Sequence, residues 1–198
     1  MSTTPRDGQV PLFTIGYGAR SLDAFFAVLK ANDITYLIDI RSAPYSRFKP
    51  EFSKQALEAA ARAAGFTYVY MGDTLGGQPQ DATCYEDGKV VYDRVKERPF
   101  FRDGMARLRR AAERNLRVAL MCSEGKPEQC HRTVLIGQAL ADLAIDVVHI
   151  DENDGLIGQD EALGRRTSGQ LSLLDDPEFK SRKRYKKKTN HEEPPADD

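Results

Sequence analysis

Cys122, Glu124, Cys130, His131 and Arg132 fall within one short stretch, MCSEGKPEQCHR, and together they hold most of the reactive chemistry this chain offers. A cysteine is a nucleophile once it is a thiolate, and a carboxylate or imidazole beside it can move the proton. An arginine adds a planar fork that matches phosphate or carboxylate oxygens. Alone, a cysteine or histidine is most often a packing residue; five such groups on one loop argue for a site. Cys122, Cys130 and His131 are also soft metal ligands, which makes metal-assisted chemistry the alternative. The Cys-x7-Cys-His spacing is not a standard zinc pattern, and neighbours on a helix point in different directions. The residues therefore favour a site without metal, and they name no cofactor.

A strand, a loop and a helix must hold these groups. Val118 to Met121 is an apolar run suited to a strand buried on both faces, which puts Cys122 at its carboxyl end. Pro127 suits the first turn of a helix whose apolar face is Val134, Leu135, Ala139, Leu140 and Leu143, with Cys130, His131 and Arg132 in its first two turns. Backbone N–H groups and the helix dipole favour an anion there, so Cys130 is expected to be more reactive than Cys84, which has no such aid.

The rest of the chain alternates strand and helix. Leu12 to Ile15 reads as a first strand ended by Gly16-Tyr17-Gly18, and Ser21 reads as the N-cap of the helix that follows. Tyr36 to Ile40 is a second strand carrying Asp39, a carboxylate costly to bury unless Arg41 or Arg47 pairs with it. The loop RSAPYSRFKPEFS sets Arg41, Arg47 and Lys49 among Tyr45, Phe48 and Phe52, which suits a rigid surface for phosphates or bases, or else merely covers the sheet. A helix runs from Ser53 to Ala64 and a third strand from Phe66 to Tyr70. Met71 to Gly88 has no period and is expected to be a lid. Pro99 to Asn115 is helical, and Asp146 to Ile150 is a fifth strand that offers His149 to the cleft. The pattern predicts a three-layer α/β fold: a mainly parallel five-stranded sheet with helices on both faces and ligands at the strands' carboxyl ends.

The 198 residues allow one good core over 1–150, followed by a mostly disordered tail over 151–198. A net charge of −1 excludes a global field that drives the protein onto nucleic acid. Three cysteines are too few for a disulfide framework, and no run is apolar enough for a signal or a membrane span. A soluble, cytoplasmic protein with no membrane contact is expected.

In the order TIGYGARSLDAF, LIDIRSAPYSRFKPEFS, LGG and MCSEGKPEQCHR, the chain resembles an uncharacterised family, domain of unknown function 488 (DUF488), over about Phe13 to Ile150. The resemblance implies an α/β domain and no particular reaction. Its recurring polar positions correspond here to Gly16, Tyr17, Gly18, Asp39, Arg41, Pro44, Ser46 and Arg47, and to the residues of the Cys122–Arg132 stretch. Two functions compete. One is an enzyme on a phosphorylated or nucleotide-like substrate, with Arg41, Arg47 and Arg132 as anion clamps, Glu124 or His131 as general acid/base and Cys122 or Cys130 as nucleophile. The other is a nucleic-acid-associated module without catalysis.

In the tail, Gln170, Leu171, Leu173 and Leu174 of QLSLL resemble the short peptide by which bacterial replication and repair proteins dock on the sliding clamp, with Leu174 in place of the usual Phe. That resemblance implies a link to DNA repair or replication, and the basic run Lys180 to Lys188 then suits a salt-dependent contact with DNA. The alternative is that the leucines pack back on the domain.

Overall fold

A computed structural model of the protein describes residues 9–166 and 180–185. In chain order it contains β1 (Leu12–Gly16), α1 (Leu22–Ala31), β2 (Tyr36–Asp39), α2 (Lys54–Ala63), β3 (Thr67–Tyr70), α3 (Gly72–Leu75), β4 (Tyr85–Glu86) and β5 (Lys89–Val90). There follow α4 (Tyr92–Lys96), α5 (Pro99–Glu113), β6 (Val118–Cys122), α6 (Gln138–Asp142), β7 (Val147–Ile150), β8 (Leu156–Gly158) and α7 (Gln159–Arg166). The main sheet has the order β3-β2-β6-β1-β7-β8, and β4 and β5 form a separate hairpin. Strands β3, β2, β6, β1 and β7 are mutually parallel.

Alternation along β6 shows why the sheet needs two helical layers. Ala119 and Met121 join Phe13, Ile15 and Leu37 in a core with Phe25, Leu29 and Leu57 of α1 and α2. Val118, Leu120 and Cys122 face the opposite core, with Met105, Leu108 and Leu140 of α5 and α6. Successive side chains leave a strand on opposite faces, so Cys122 is directed to the second layer by its parity with Leu120. The crossover after β1 passes the place of β6 to reach β2, and that after β6 passes β1 to reach β7. The chain thus leaves two neighbouring strands in opposite directions, which opens a crevice above their carboxyl ends.

The sheet has a sixth strand beyond the five expected. β8 runs antiparallel to β7, after a turn in which the Asp151 carboxylate accepts from the N–H groups of Asn153 and Gly155 at 2.9 Å each. Residues 151–166, assigned above to the tail, therefore belong to the sheet and its flanking helix. Two apolar residues in β8 and one buried residue, Ala162, in a charged α7 are too little for a periodic signal. Among the described residues no helix is long and apolar enough to cross a membrane.

Candidate active site

Backbone pairing continues past the ends of β1 and β6. The Tyr17 N–H donates to the Cys122 carbonyl at 3.1 Å and the Gly18 N–H to that of Ser123 at 3.0 Å. This draws the β6 loop across β1 so closely that a Cβ on Gly16 would stand 1.7 Å from the Glu124 carbonyl oxygen. Gly16 and Gly18 thus serve the approach of two chain segments. Of the three, Tyr17 reaches the crevice, with its ring stacked on Phe52 at 4.3 Å.

A cavity of about 340 Å³ occupies the crevice. Cys122, Cys130 and His131 line it together with Arg41, Glu124 and Tyr45. His131 Nδ1 lies 3.9 Å from Cys122 Sγ and 3.6 Å from Cys130 Sγ, and the three atoms are all within 4.8 Å of one another.

The two thiols are not equivalent. Cys122 is held well below the ordinary thiol range, first by a hydrogen bond from Cys130 and then, against the cost of burial, by His131 and the charge of Arg132. Cys130 is pushed well above it by burial and by its neighbour. Both directions favour the thiolate on Cys122, with Cys130 as the thiol that donates to it. This reverses the direction expected for Cys130, and burial beside a second sulfur is the reason. Pro127–Gln129 is a separate 3-10 turn, Cys130 itself is extended, and the helix begins as a π-helical run, Arg132–Gly137, that leads into α6. Cys130 stands just before the helix, its carbonyl accepting from the Thr133 N–H at 3.2 Å, and the Arg132 N–H and charge favour its thiolate, but burial and the neighbouring Cys122 outweigh them.

His131 is set by a neighbour outside its own element. A Cβ on Gly77 would stand 2.7 Å from His131 Cγ, so only glycine lets the segment after α3 lie on the ring. The region expected to form a lid, Met71 to Gly88, is ordered wall: α3, a 3-10 turn at Ala82–Cys84 and the β4–β5 hairpin, with the Gln78 N–H donating to Ser42 Oγ at 2.9 Å. His131 Nε2 is buried and has no hydrogen-bond partner among the described residues.

Arg41 and Asp39 form a buried bidentate pair, with Nε and Nη2 of Arg41 donating at 2.8 and 2.6 Å, and the Tyr68 hydroxyl donating to the same carboxylate at 2.7 Å. One guanidinium nitrogen is left over: Arg41 Nη1 is buried without a partner, on a residue that lines the cavity. The other expected clamps stand elsewhere. Arg47 is exposed and outside the cavity lining. Ser46 Oγ accepts from the Lys49 N–H at 3.2 Å and fixes its own loop. Arg132 is fully buried and outside the lining, with Nη2 donating to the Gly125 carbonyl at 2.8 Å and Nε and Nη1 without partners. Its charge acts from behind on the thiols. His149, expected in the cleft, is buried between Thr14 and Gln159, and Cys84 is buried in the core.

One wall of the site was missed. Lys180–Tyr185, within the basic run expected to touch DNA, packs on the domain. Lys180 forms an antiparallel bridge with Val91 and an ion pair with Glu86. The Ser181 N–H donates to Val90 and the Tyr185 N–H to Gly88, at 2.9 and 2.7 Å. Arg182, Lys183 and Tyr185 thereby line the cavity. The one sequence signal was Ser181 and Tyr185 interrupting the charges. The clamp-like residues Gln170, Leu171, Leu173 and Leu174 lie outside the described residues.

The family described as "Domain of unknown function DUF488" matches residues 21–139. No curated protein and no solved structure matches the chain. Because the match takes in more than half of the chain, including both cysteines and the histidine of the site, the protein belongs to the DUF488 family.

Proposed function

We propose that this protein is an enzyme on a phosphorylated or nucleotide-like substrate, with Cys122 as nucleophile. The observation that carries the reading is that Cys122, with His131 Nδ1 3.9 Å from its sulfur, and a residue with a spare buried donor, Arg41, line one cavity, and the surroundings of Cys122 favour its thiolate. A buried guanidinium nitrogen without an acceptor is costly unless a ligand oxygen supplies one. The substrate's anionic group takes a hydrogen bond from Arg41 Nη1. Cys122 Sγ forms a bond to an electrophilic carbon or phosphorus, and the bond to the leaving group breaks with its electron pair. A proton from Cys130 or from His131 Nε2 reaches that group, and water then releases the bound fragment. Three cysteines without a disulfide suit a reducing cytoplasm. The test is a thermal-shift and turnover screen of phosphate esters and nucleotides on wild type and Cys122→Ser. Binding retained with turnover and covalent adduct lost in Cys122→Ser is the expected result. Turnover that survives the substitution overturns it.

A second reading is favoured by one distance set. The His131 Nδ1–sulfur separations of 3.6 and 3.9 Å lie near the value of about 3.6 Å that tetrahedral zinc bond lengths imply. The trio would then hold a thiophilic cation whose fourth position faces the cavity. Near-stoichiometric zinc or iron in protein purified without a chelating tag decides for this reading.

The QLSLL segment supports docking on a bacterial sliding clamp, and so a place in DNA repair or replication. Clamp binding by the full chain that is abolished by Gln170→Ala with Leu173→Ala supports it; binding left unchanged removes it.

A further inference from the structure

The segment Lys180–Tyr185 is joined to the domain as an added strand would be, with Ser181 buried and its Oγ accepting from the Val90 N–H at 2.9 Å. Here a run of basic residues is a fixed wall of the cavity. Among the described residues the Arg182 side chain makes no hydrogen bond or ion pair, and the Lys183 ammonium meets only Glu124, at 3.3 Å, with Lys183 largely exposed and Glu124 partly so. Such a pair is worth roughly 0–1 kcal/mol and exchanges readily for a phosphate.

The basic surface continues beyond the cavity. Arg182 and Gln129 also line a second hollow of about 420 Å³ with Arg165, Arg166 and Glu128. Arg165 is occupied by Asp151 and Glu161, whereas among the described residues Arg166 donates to the Glu128 carbonyl alone, at 3.3 Å. Two cations, Arg182 and Arg166, thus lie along a path that leads away from the thiols.

The same cavity has an aromatic in the open. Tyr45 lines it and is 74% exposed, and Phe48, three positions on, is 93% exposed. Large apolar side chains held in water by a loop with prolines at 44 and 50 gain nothing for the fold. They do offer faces on which a base can stack, and cations spaced along a groove beside stacking rings are the pattern that binds single strands. A small phosphate ester needs neither the second hollow nor the rings.

We propose that Lys180–Tyr185 and Tyr45 make the cavity the end of a cleft for single-stranded nucleic acid: one nucleotide enters beside Cys122, and neighbouring phosphates lie on Arg182 and Arg166. This rests on the reading that the cavity takes a phosphate-bearing ligand, and it names the ligand's class.

The test is fluorescence anisotropy of the full chain with a labelled oligothymidylate of roughly a dozen nucleotides, titrated from about 50 to about 200 mM salt. Arg182→Ala with Lys183→Ala is expected to weaken binding about tenfold and to lower the salt slope by about one. Tyr45→Ala is expected to weaken it at least about fivefold with the slope unchanged, and exposed Arg109→Ala to leave it alone. Binding that survives both of the first two changes would place the contact in the lysines beyond Tyr185 and overturn the proposal. Alkylation of Cys122 separates this failure from that of the parent reading. If thymidine monophosphate protects Cys122 while the oligonucleotide binds no better, the strand proposal fails and the anion cavity stands; if neither protects, both fall.

Discussion

Cys122 and Arg132 are both buried, and the charge of Arg132 favours a thiolate on Cys122. Arg132 is fully buried and forms no ion pair with a carboxylate among the described residues. A charge left so is costly, and a thiolate beside it lowers that cost. Native Cys122 should therefore be alkylated through the cavity at pH values well below the ordinary thiol range, while buried Cys84 and Cys130 lag. Arg132→Gln should move the Cys122 rate midpoint up by about one unit, which corresponds to about 1.4 kcal/mol. Faster labelling of Cys84 or Cys130 at pH 6, by mass spectrometry of peptides, would put the thiolate elsewhere.

Asp39 depends on two donors, Arg41 and Tyr68, and Arg41 also lines the cavity. Removing one partner of a buried pair leaves the other uncompensated, so Arg41→Ala should lower unfolding stability by about 3–5 kcal/mol. Tyr68, whose hydroxyl is held protonated by burial and then by the Asp39 charge, donates one hydrogen bond, and Tyr68→Phe should cost about 1.5–3 kcal/mol. Arg41→Lys cannot restore the two-point contact. Urea denaturation measures all three, and a loss below about 1 kcal/mol for Arg41→Ala would mean that the pair is open in solution.

Outside residues 71–98, where α3, α4 and the β4–β5 hairpin are too short to carry a period, the alternation of strands and helices up to Ile150 was legible from the hydrophobic period of each element, and the gathering of Cys122, Cys130 and His131 was legible from their adjacency in the chain. Three things were not. The direction of proton sharing between Cys122 and Cys130 depends on how deeply each sulfur is buried and on His131 lying beside them, which spacing alone does not reveal. Gly77 is assigned to His131 only by the path of α3. The wall at Lys180–Tyr185 looked solvated because its binding to the domain is by backbone groups and one serine, and these leave no apolar pattern.

Gly16 should be irreplaceable for a steric reason. In Gly16→Ala the new Cβ meets the Glu124 carbonyl oxygen at 1.7 Å and Arg132 Nη1 at 2.7 Å, so backbone must move, at a cost of at least about 3 kcal/mol. Gly125→Ala is the control, since its Cβ would meet nothing closer than 3.6 Å, and it should cost under about 1 kcal/mol. Similar urea midpoints for the two variants would show that the β6 loop does not cross β1 so tightly.

His149 should make the fold acid-sensitive through a single proton. Gln159 Nε2 donates to the Thr133 carbonyl and to Gln138 Oε1 at 3.1 Å each, which leaves Oε1 to accept from His149 Nε2 at 2.8 Å. The Nδ1 lone pair then accepts from the Thr14 hydroxyl at 2.7 Å, so the neutral ring is fully used and a second proton requires that hydroxyl to turn and accept. Burial first, and then the charge of Arg132, lower the pKa from 6.5 to about 4, against the hydrogen bond to Gln159. Above pH 6.5 neither the folded nor the unfolded ring is charged, and His149 adds no pH dependence. Between 6.5 and 4 the unfolded chain takes a proton that the folded one refuses, so stability falls as pH drops, by about 1.4 kcal/mol per unit. From pH 7 to pH 5 the wild type should lose about 2 kcal/mol more than His149→Gln, whose side chain does not titrate. The difference between the two proteins cancels the carboxylates they share. Equal losses in urea denaturation at the two pH values would show that His149 is charged, or open to water, in the folded protein.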